Sequence, residues 1–388
     1  MAKYFLLAGE ASGDMHASAL IKQIQHRQPD AAFAGLGGDK MAEAGCHLYQ
    51  HIRNMAFMGF AAVLKNMGKV RRNFRIAKEA LLAEQPDVLI LVDYPSFNLR
   101  IASFCRKHLP ATRIIYYIPP KVWAWKRRRI HRIAKLCDEV LGIFPFEPDF
   151  YARYGYRCTY VGNPTKESID SFQIPNQKSQ IKNLKSPYLQ IVLYKSKEIS
   201  NLKSIALLPG SRPSEIAHCL PKMLEAARRF PEYTITICAA PGIEDDFYTP
   251  YISAHDTLTR DTYTCVHEAA AAIVNSGTAT LETALLGCPQ VAVYHLACAP
   301  LIGLIRPLQH LFFSIRYFTL VNILAGKEVI RECIANEFTV DKIAQELNLL
   351  LHDEVHQKEM LASYEHLSSL LGSHSASVEA ARIITAKP

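Results

Sequence analysis

The chain has 388 residues, 49% of them hydrophobic and 21% charged, a balance that excludes intrinsic disorder, collagen-like repeats and small disulfide scaffolds. Its ten cysteines form no Cys-x-x-Cys pair, which removes a zinc ribbon and a dithiol redox site and leaves reduced thiols in a cytoplasmic protein as the economical reading. A net charge of +8 favours an anionic partner (nucleic acid, an anionic membrane or a phosphorylated substrate) without choosing among them.

From the N-terminus, one lysine and a short apolar run lead at once to Glu10 and Asp14, so the start reads as a strand entering a loop and not as a signal peptide. Short apolar runs then alternate with longer amphipathic stretches, the sequence form of βαβ units around a mostly parallel sheet. Strands are predicted at 3–8, 32–35, 88–92, 113–117, 139–143 and 159–161, with helices between them, among them 17–26 and 71–84. The stretch 55–74 sets Phe57, Met58, Phe60, Val63, Leu64 and Met67 beside Lys65, Lys69, Arg71 and Arg72. It reads either as a buried helix or as an interfacial one. Residues 171–203 are lysine-rich with Glu198 as the one acid after Asp170, and read as a linker carrying an insertion, in which 188–194 is apolar enough to form an edge strand. A second α/β series follows, with strands at 204–208, 234–239, 271–274 and 290–294 and helices at 340–351 and 355–371. The most apolar long segment, 291–313, is interrupted by His295, Pro300, Arg306 and Pro307, and no stretch reaches the roughly 18 apolar residues of a spanning helix. The predicted fold is α/β, two doubly wound Rossmann-like domains (1–170 and 204–350) with a cleft between them.

Ligands of open α/β sheets bind beyond the carboxyl ends of the strands, which directs attention to four loops. Gly9-Glu10-Ala11-Ser12-Gly13-Asp14 is neither a Walker A loop nor GxGxxG. Its glycines allow a tight turn and its acids repel bare phosphate, leaving a sugar-hydroxyl site or a plain turn with Asp14 near a helix N-terminus. Asp93-Tyr94-Pro95-Ser96-Phe97-Asn98 follows an apolar run, which delivers Asp93 to a partly desolvated position where it acts as a general base, or else as an ordinary turn aspartate. In 207–216, Gly210, Ser211 and Arg212 precede Pro213 at a first helical turn. That arrangement cradles phosphate on backbone N–H groups with Arg212 neutralising it, or is a simple strand-to-helix turn. Ser276, Gly277 and Thr278 make a second anion site at a helix N-terminus, with Glu282 a turn further in as acceptor for ribose hydroxyls. Together these imply a nucleoside diphosphate on the second domain and a base on the first. Gly35-Leu36-Gly37-Gly38 reads as a turn. His16, His131, His295 and His310 lack metal-ligand spacing, so no metal is expected. Lys126 to Arg129, after Val122-Trp123-Ala124-Trp125, suit nucleic acid or a phospholipid-like substrate at a membrane.

In order along the chain, GEASGD at Gly9, MGF at Met58, DYPSFN at Asp93, VWAW at Val122, FPFE at Phe144, VGNP at Val161, LLPGSR at Leu207, SGTATLE at Ser276 and NILAG at Asn322 resemble the lipid A disaccharide synthase family. These are inverting glycosyltransferases of the two-domain GT-B fold. The resemblance implies joining UDP-2,3-diacylglucosamine to 2,3-diacylglucosamine 1-phosphate, giving the β-1′,6 disaccharide and UDP without metal or other cofactor. By the same resemblance Asp93 matches the general base, Glu10, Arg212 and Asn322 match other activity-sensitive positions, and Glu282 matches a ribose-binding carboxylate. Gly210, Ser211, Arg212, Ser276, Gly277, Thr278, Glu282 and Asn322 are then expected at the UDP-sugar, and Met58, Phe60, Val63, Leu64 and Met67 at acyl chains or membrane. Residues 351–388 are expected to pack back on the first domain. The protein is expected at the cytoplasmic face of the inner membrane, held peripherally by anionic lipid, with no nucleic acid partner and with a homodimer as in some family members. Two positions depart from the family pattern: Asn163 stands where many members have histidine, and Pro119 replaces a serine. The rival readings are another GT-B transferase or epimerase acting on UDP-GlcNAc-type sugars, and a nucleic-acid-binding protein using Lys126 to Arg129.

Overall fold

The computed structural model describes residues 1–55, 67–172, 202–295 and 316–386. They fall into two compact units, Met1–Glu167 with Ser373–Pro388, and Ser168–Gly372. The first runs β1 (Lys3–Ala8), α1 (Ala11–Arg27), β2 (Ala32–Gly37), α2 (Asp39–Glu43), β3 (His47–His51), α3 (Met67–Glu84), β4 (Val88–Val92), α4 (Pro95–His108), β5 (Arg113–Tyr117), α5 (Arg129–Leu136), β6 (Glu139–Gly142), α6 (Glu147–Ala152) and β7 (Thr159–Tyr160). After α7 (Pro164–Asp170) the second runs β8 (Ser204–Leu208), α8 (Pro213–Ala227), β9 (Thr234–Cys238), β10 (Asp256–Thr259), α9 (Thr262–Glu268), β11 (Ala271–Asn275), α10 (Thr278–Leu285), β12 (Gln290–Tyr294), α11 (Leu320–Ala325), β13 (Glu332–Ile334), α12 (Val340–His352) and α13 (Glu354–Leu370). The last helix, α14 (Ala376–Thr385), belongs to the first unit.

Both sheets are parallel, ordered β3-β2-β1-β4-β5-β6-β7 and β10-β9-β8-β11-β12-β13. In each, the strand order reverses once, between β1 and β4 in the first and between β8 and β11 in the second. A reversal sends the flanking helices to opposite faces and opens a crevice at the strand ends, where ligands bind. Ala8 pairs with Val92 across the first reversal, so the chain leaves both strands side by side at Gly9 and Asp93. Leu208 pairs with Val274 across the second, which sets the Gly210 loop beside Asn275. β4, Val-Leu-Ile-Leu-Val, is buried at all five positions, as a strand covered on both faces requires.

Among the described residues the apolar runs read as strands are found as strands, with ends shifted by a residue or two at most; 188–194 and the rest of 173–201 lie outside them. Three edge strands, β3, β10 and β13, were not expected. Their sequences, His-Leu-Tyr-Gln-His, Asp-Thr-Leu-Thr and Glu-Cys-Ile, are polar and half exposed, because an edge strand has one unpaired side in water and needs no continuous apolar run. Gly35 and Gly37, read as part of a turn, lie in β2. A Cβ on Gly35 would sit 2.1 Å from the Leu6 carbonyl oxygen, so glycine marks a close approach of backbones here. Of residues 351–388, expected together on the first domain, α13 packs instead in the second unit. There Met360, Leu361, Tyr364 and Leu367 join the core.

α14 is held in the first unit by apolar packing and by its ends. Ala380, Ala381 and Ile384 share a core with Ala17, Leu20, Ile21 and Ile24 of α1. At its N-terminus Glu167 accepts from Ser375 Oγ (2.7 Å), the Ser377 amide (3.0 Å) and Ser377 Oγ. At its C-terminus Arg113 donates to the Ile384 and Ile383 carbonyls, groups a helix otherwise leaves unpaired.

Asp14 is a strut. Buried at 4% exposure, it accepts from the amides of Gly38 (2.7 Å), Lys40 (3.1 Å) and Met41 (3.1 Å), capping α2 from α1. The plain-turn alternative therefore holds for this residue, and a Cβ on Gly38 would collide with its carboxylate at 2.6 Å. Asp14→Ala leaves three amides without their acceptor. It is expected to lower stability by about 3 kcal/mol, which denaturant unfolding checks.

Candidate functional site

At the first reversal the backbone takes an unusual path. Asp93 and Tyr94 both have φ of 44°, and Ile118, at the end of neighbouring β5, has φ of 59°. Such conformations cost roughly 1–3 kcal/mol each for residues other than glycine and persist only where the surroundings fix them. The Asp93 amide donates to the Ile118 carbonyl (3.2 Å), and its own carbonyl accepts from Asn98 Nδ2 (2.7 Å) and Tyr116 Oη (2.8 Å). Asn98 is fully buried and also reaches the carbonyls of Val92 (3.2 Å) and Leu7 (3.4 Å), which ties the ends of β1 and β4 together. Tyr94 lies over Gly9, where a Cβ would fall 2.3 Å from its ring, and donates to the Met55 carbonyl (3.0 Å).

This turn projects the Asp93 carboxylate with one side open to solvent and protein crowding the other. Burial raises its carboxyl above the usual carboxylate range, opposed by the Lys121 ammonium and the Tyr94 amide. Glu10 stands at the N-cap position of α1 on the adjacent loop and acts on Tyr94, whose phenol is pushed up by burial and then by Glu10. The structure thus gathers Asp93 and Glu10 at one reversal.

Sequence reasoning missed the groups behind them. Lys121 follows two prolines and shows no motif of its own; burial pulls its ammonium below the ordinary range while Asp93 and Glu147 hold it up. Glu147 is wholly buried, accepting from the amides of Ile143 (2.8 Å) and Phe144 (3.0 Å) and from Trp123 Nε1 (3.2 Å). Burial lifts it to about 7 against those donors. The VWAW and FPFE segments meet through this carboxylate and through Trp123 edge-on to Phe144 and Phe146, at 5.8 and 5.1 Å.

At the second reversal Gly210 has φ of 122°, and a Cβ there would lie 2.6 Å from Asn275 Nδ2 and 2.8 Å from Glu215. Only glycine fits, on both counts. The loop is not an open cradle of N–H groups as expected: the Ser211 amide donates to Glu215 Oε2 (3.0 Å) and Arg212 Nη1 to Glu215 Oε1 (2.7 Å). The reason is helix capping, since Glu215 sits three residues after the N-cap Arg212 and reaches back over the first turn. The Ser276 amide is likewise taken, by the Val293 carbonyl (2.8 Å). Gly277 and Thr278 are exposed at the start of α10. Glu282 lies half-buried on that helix, pushed by burial to about 6, and raises the phenol of Tyr263 after burial does. Flanking the loop, the His218 and His295 rings stack at 4.4 Å.

Asn322 is not placed to meet a ligand directly. Fully buried, it donates to the Ile330 carbonyl (2.8 Å) and Glu332 Oε1 (3.0 Å) and accepts from the Val329 (2.7 Å) and Ile330 (3.0 Å) amides. That uses all four of its hydrogen bonds in tying α11 to β13. Asn163, a departure from the family pattern, is buried and caps α7, accepting from Thr165 and Lys166. Met58, Phe60, Val63 and Leu64, and the side chain of Met67, lie outside the described residues.

A family model described as lipid-A-disaccharide synthetase matches residues 4–384. Among curated proteins the chain is similar to the lipid-A-disaccharide synthase of Trichlorobacter lovleyi, 33% identical over 95% of this chain and 93% of the relative. It is similar also to that of Myxococcus xanthus, 33% identical over 98% and 96%. Among solved structures it resembles S. aureus MnaA in a UDP co-structure, with a TM-score of 0.62 at 13% identity over 99% of this chain and 95% of that one. It resembles too the calicheamicin glycosyltransferase CalG4, with a TM-score of 0.57 at 13% identity over the whole of both. Likeness at that identity speaks to fold alone, and the fold is the two-domain GT-B α/β arrangement of glycosyltransferases and epimerases.

Proposed function

The chain belongs to the lipid-A-disaccharide synthetase family, and from that premise we propose a division of labour between its two reversals. The protein is a glycosyltransferase that forms the lipid A disaccharide from a sugar nucleotide and a lipid-linked acceptor. In this reading the donor is UDP-2,3-diacylglucosamine and the acceptor 2,3-diacylglucosamine 1-phosphate. Asp93 takes the proton of the acceptor 6-hydroxyl, whose oxygen bonds to the anomeric carbon as the bond to the β-phosphate oxygen breaks and UDP leaves with its electron pair. Attack opposite the leaving group inverts the anomeric centre. Arg212, with Ser211 and the exposed start of α10 at Gly277 and Thr278, takes the diphosphate charge, Arg212 turning from Glu215 to do so. Glu282 accepts from the ribose hydroxyls. Glu10 orients the acceptor beside Asp93. Asn322 supports the reaction indirectly, by holding its loop.

The observation that carries this reading is the left-handed turn at Asp93, anchored by Asn98 at the strand reversal. Partial burial lends the carboxylate the basicity a general base needs. The reading is tested by incubating the protein with UDP-2,3-diacylglucosamine in EDTA and detergent, with and without the acceptor. UDP released only with acceptor, alongside a disaccharide product, is expected. UDP-sugar isomerised without acceptor would favour the epimerase reading.

The acceptor is an amphiphile, and the charge of the chain supports a reading in which the two meet at an anionic membrane. Residues 67–136 hold sixteen Lys and Arg against four Asp and Glu, more than the net charge of the whole chain. α3, α4 and α5, which carry most of them, cover one face of the first sheet through a shared core. Between α3 and α4 lies a groove of about 540 Å³ lined by Arg71, Phe74, Arg75, Lys78, Leu82 and Phe104, among others. Beside α5 Trp125 is 58% exposed with Lys126 over its ring at 4.4 Å. Among the described residues no helix is long and apolar enough to cross a membrane. Aromatic and cationic groups together suit the headgroup layer. Vesicles containing phosphatidylglycerol are expected to bind the protein at low salt and to release it at high salt. Arg127→Glu with Arg128→Glu should weaken binding roughly tenfold or more; salt-independent or absent binding in a sedimentation assay would count against the membrane face.

A further inference from the structure

We propose that Arg53 is a binding residue for the phosphate of the acceptor, a guanidinium held out at the same strand ends as Asp93. The inference rests on the reading of the acceptor as a sugar 1-phosphate whose 6-hydroxyl meets Asp93. Such an acceptor carries a phosphomonoester of its own, and Arg212 is already committed in that reading to the diphosphate of the donor. Arg53 lies in a 3₁₀ turn, Ile52–Asn54, that follows β3, and three hydrogen bonds place its side chain. The Arg53 amide donates to His51 Nδ1 (3.1 Å), which in the neutral ring leaves the hydrogen on Nε2. That Nε2 donates to Asp39 Oδ1 (3.2 Å), and Asp39 Oδ2 accepts from Arg53 Nη2 (2.9 Å). Asp39 is thus engaged by both neighbours, and one edge of the guanidinium is fixed. The Arg53 side chain is nevertheless 78% exposed, so the rest of its planar fork, which matches the oxygens of a phosphate, is presented outward. An exposed ion pair of this kind adds little to stability, so the chain stays folded without it.

The turn that bears Arg53 is fastened to the turn that bears Asp93. Tyr94 donates from Oη to the Met55 carbonyl (3.0 Å), two residues beyond Arg53. Asn73 Nδ2, from α3, donates to the Asn54 carbonyl (2.9 Å), while Asn73 Oδ1 accepts from Gln50 Nε2 of β3 (2.8 Å). The sheet sets the distance between the two turns. Its order is β3-β2-β1-β4 on this side, all parallel, with His51 beside Gly37, Leu36 beside Leu7 and Ala8 beside Val92. Arg53 and Asp93 therefore leave their strands at the same end, three strand spacings or about 14 Å apart at the backbone. An arginine side chain reaching in from one side and an aspartate from the other narrow that gap to the span between the 6-hydroxyl and the phosphate of a hexose 1-phosphate. Glu10 follows β1, one of the two strands between them, where the sugar ring itself would lie.

The test pairs a change in the protein with a change in the substrate. Rates of the full-length protein are measured in detergent with UDP-2,3-diacylglucosamine and either 2,3-diacylglucosamine 1-phosphate or 2,3-diacylglucosamine without the phosphate. The parent protein is expected to favour the phosphorylated acceptor about tenfold or more in kcat/KM, the worth of a charge-assisted hydrogen bond. Arg53→Met should lower kcat/KM for that acceptor by about the same factor, through KM, and the loss is expected to vanish with the acceptor that lacks the phosphate. Arg53→Lys, which keeps the charge without the fork, should recover part of it, and Arg53→Gln carries the expectation of methionine where the latter does not fold. Equal losses on both acceptors, or a loss on neither, overturn the proposal. Weakened binding of Arg53→Met to phosphatidylglycerol vesicles with its choice between acceptors intact would give the cation to lipid headgroups and overturn it as well. Transfer by the parent protein to both acceptors alike overturns the phosphate site and leaves the reading of Asp93 standing, whereas transfer to neither fails the assignment of the acceptor itself.

Discussion

One buried amide fixes the geometry on which the first unit's chemistry depends. Asn98 lies in the first turn of α4 and points its Nδ2 back at the carbonyls of Leu7, Val92 and Asp93, closing the two central strands against each other beyond their last ladder bonds. Without it, two successive left-handed residues at Asp93 and Tyr94 would relax, since each costs roughly 1–3 kcal/mol. The rest of the segment follows. Pro95 starts α4 where an amide would have no helical partner. Tyr94 fills the space a side chain on Gly9 would occupy, and Phe97 stacks on Phe74 at 4.4 Å. The DYPSFN and GEASGD motifs are thus one interlocked structure rather than two sites.

The second unit solves the same problem with different groups. There Asn275 lies beneath Gly210, with the Cys219 thiol at 3.8 Å from its Oδ1, and the loop above bears an arginine in place of a carboxylate. One reversal presents acids suited to hydroxyl groups, the other a cation and a helix start suited to phosphate. Glu215 holds both the Arg212 guanidinium and the Ser211 amide from within the same helix turn, so an anion arriving there has to take these donors over from Glu215.

How much of this was legible in the sequence depends on burial. Central strands such as Val88–Val92 announce themselves because both faces are covered, whereas His47–His51 and Asp256–Thr259 look like loops because their outer edges face water. Asp93 and Arg212 could be picked out because each follows a strand within about a helical turn, and Glu282 because it lies in the first helix after one; position near a strand end is itself a signal. The partner of Arg212 was missed although Glu215 is three residues away, a spacing that a capping box makes readable. Asn98 and Glu147 stood inside DYPSFN and FPFE with no role readable for them, since what they do lies in contacts to Leu7 and Trp123, on segments far apart in sequence. The same holds for Asn322, a residue tied to activity by resemblance but shown to bind its own backbone.

The account turns on Asp93 acting on the acceptor and not on the nucleotide. The most direct measurement is of turnover and UDP affinity side by side in Asp93→Asn, which keeps the size of the side chain and removes its capacity to take a proton. The account predicts a fall in kcat of about a hundredfold or more with the dissociation constant for UDP little changed. A parallel loss of both, or turnover that persists, would contradict it.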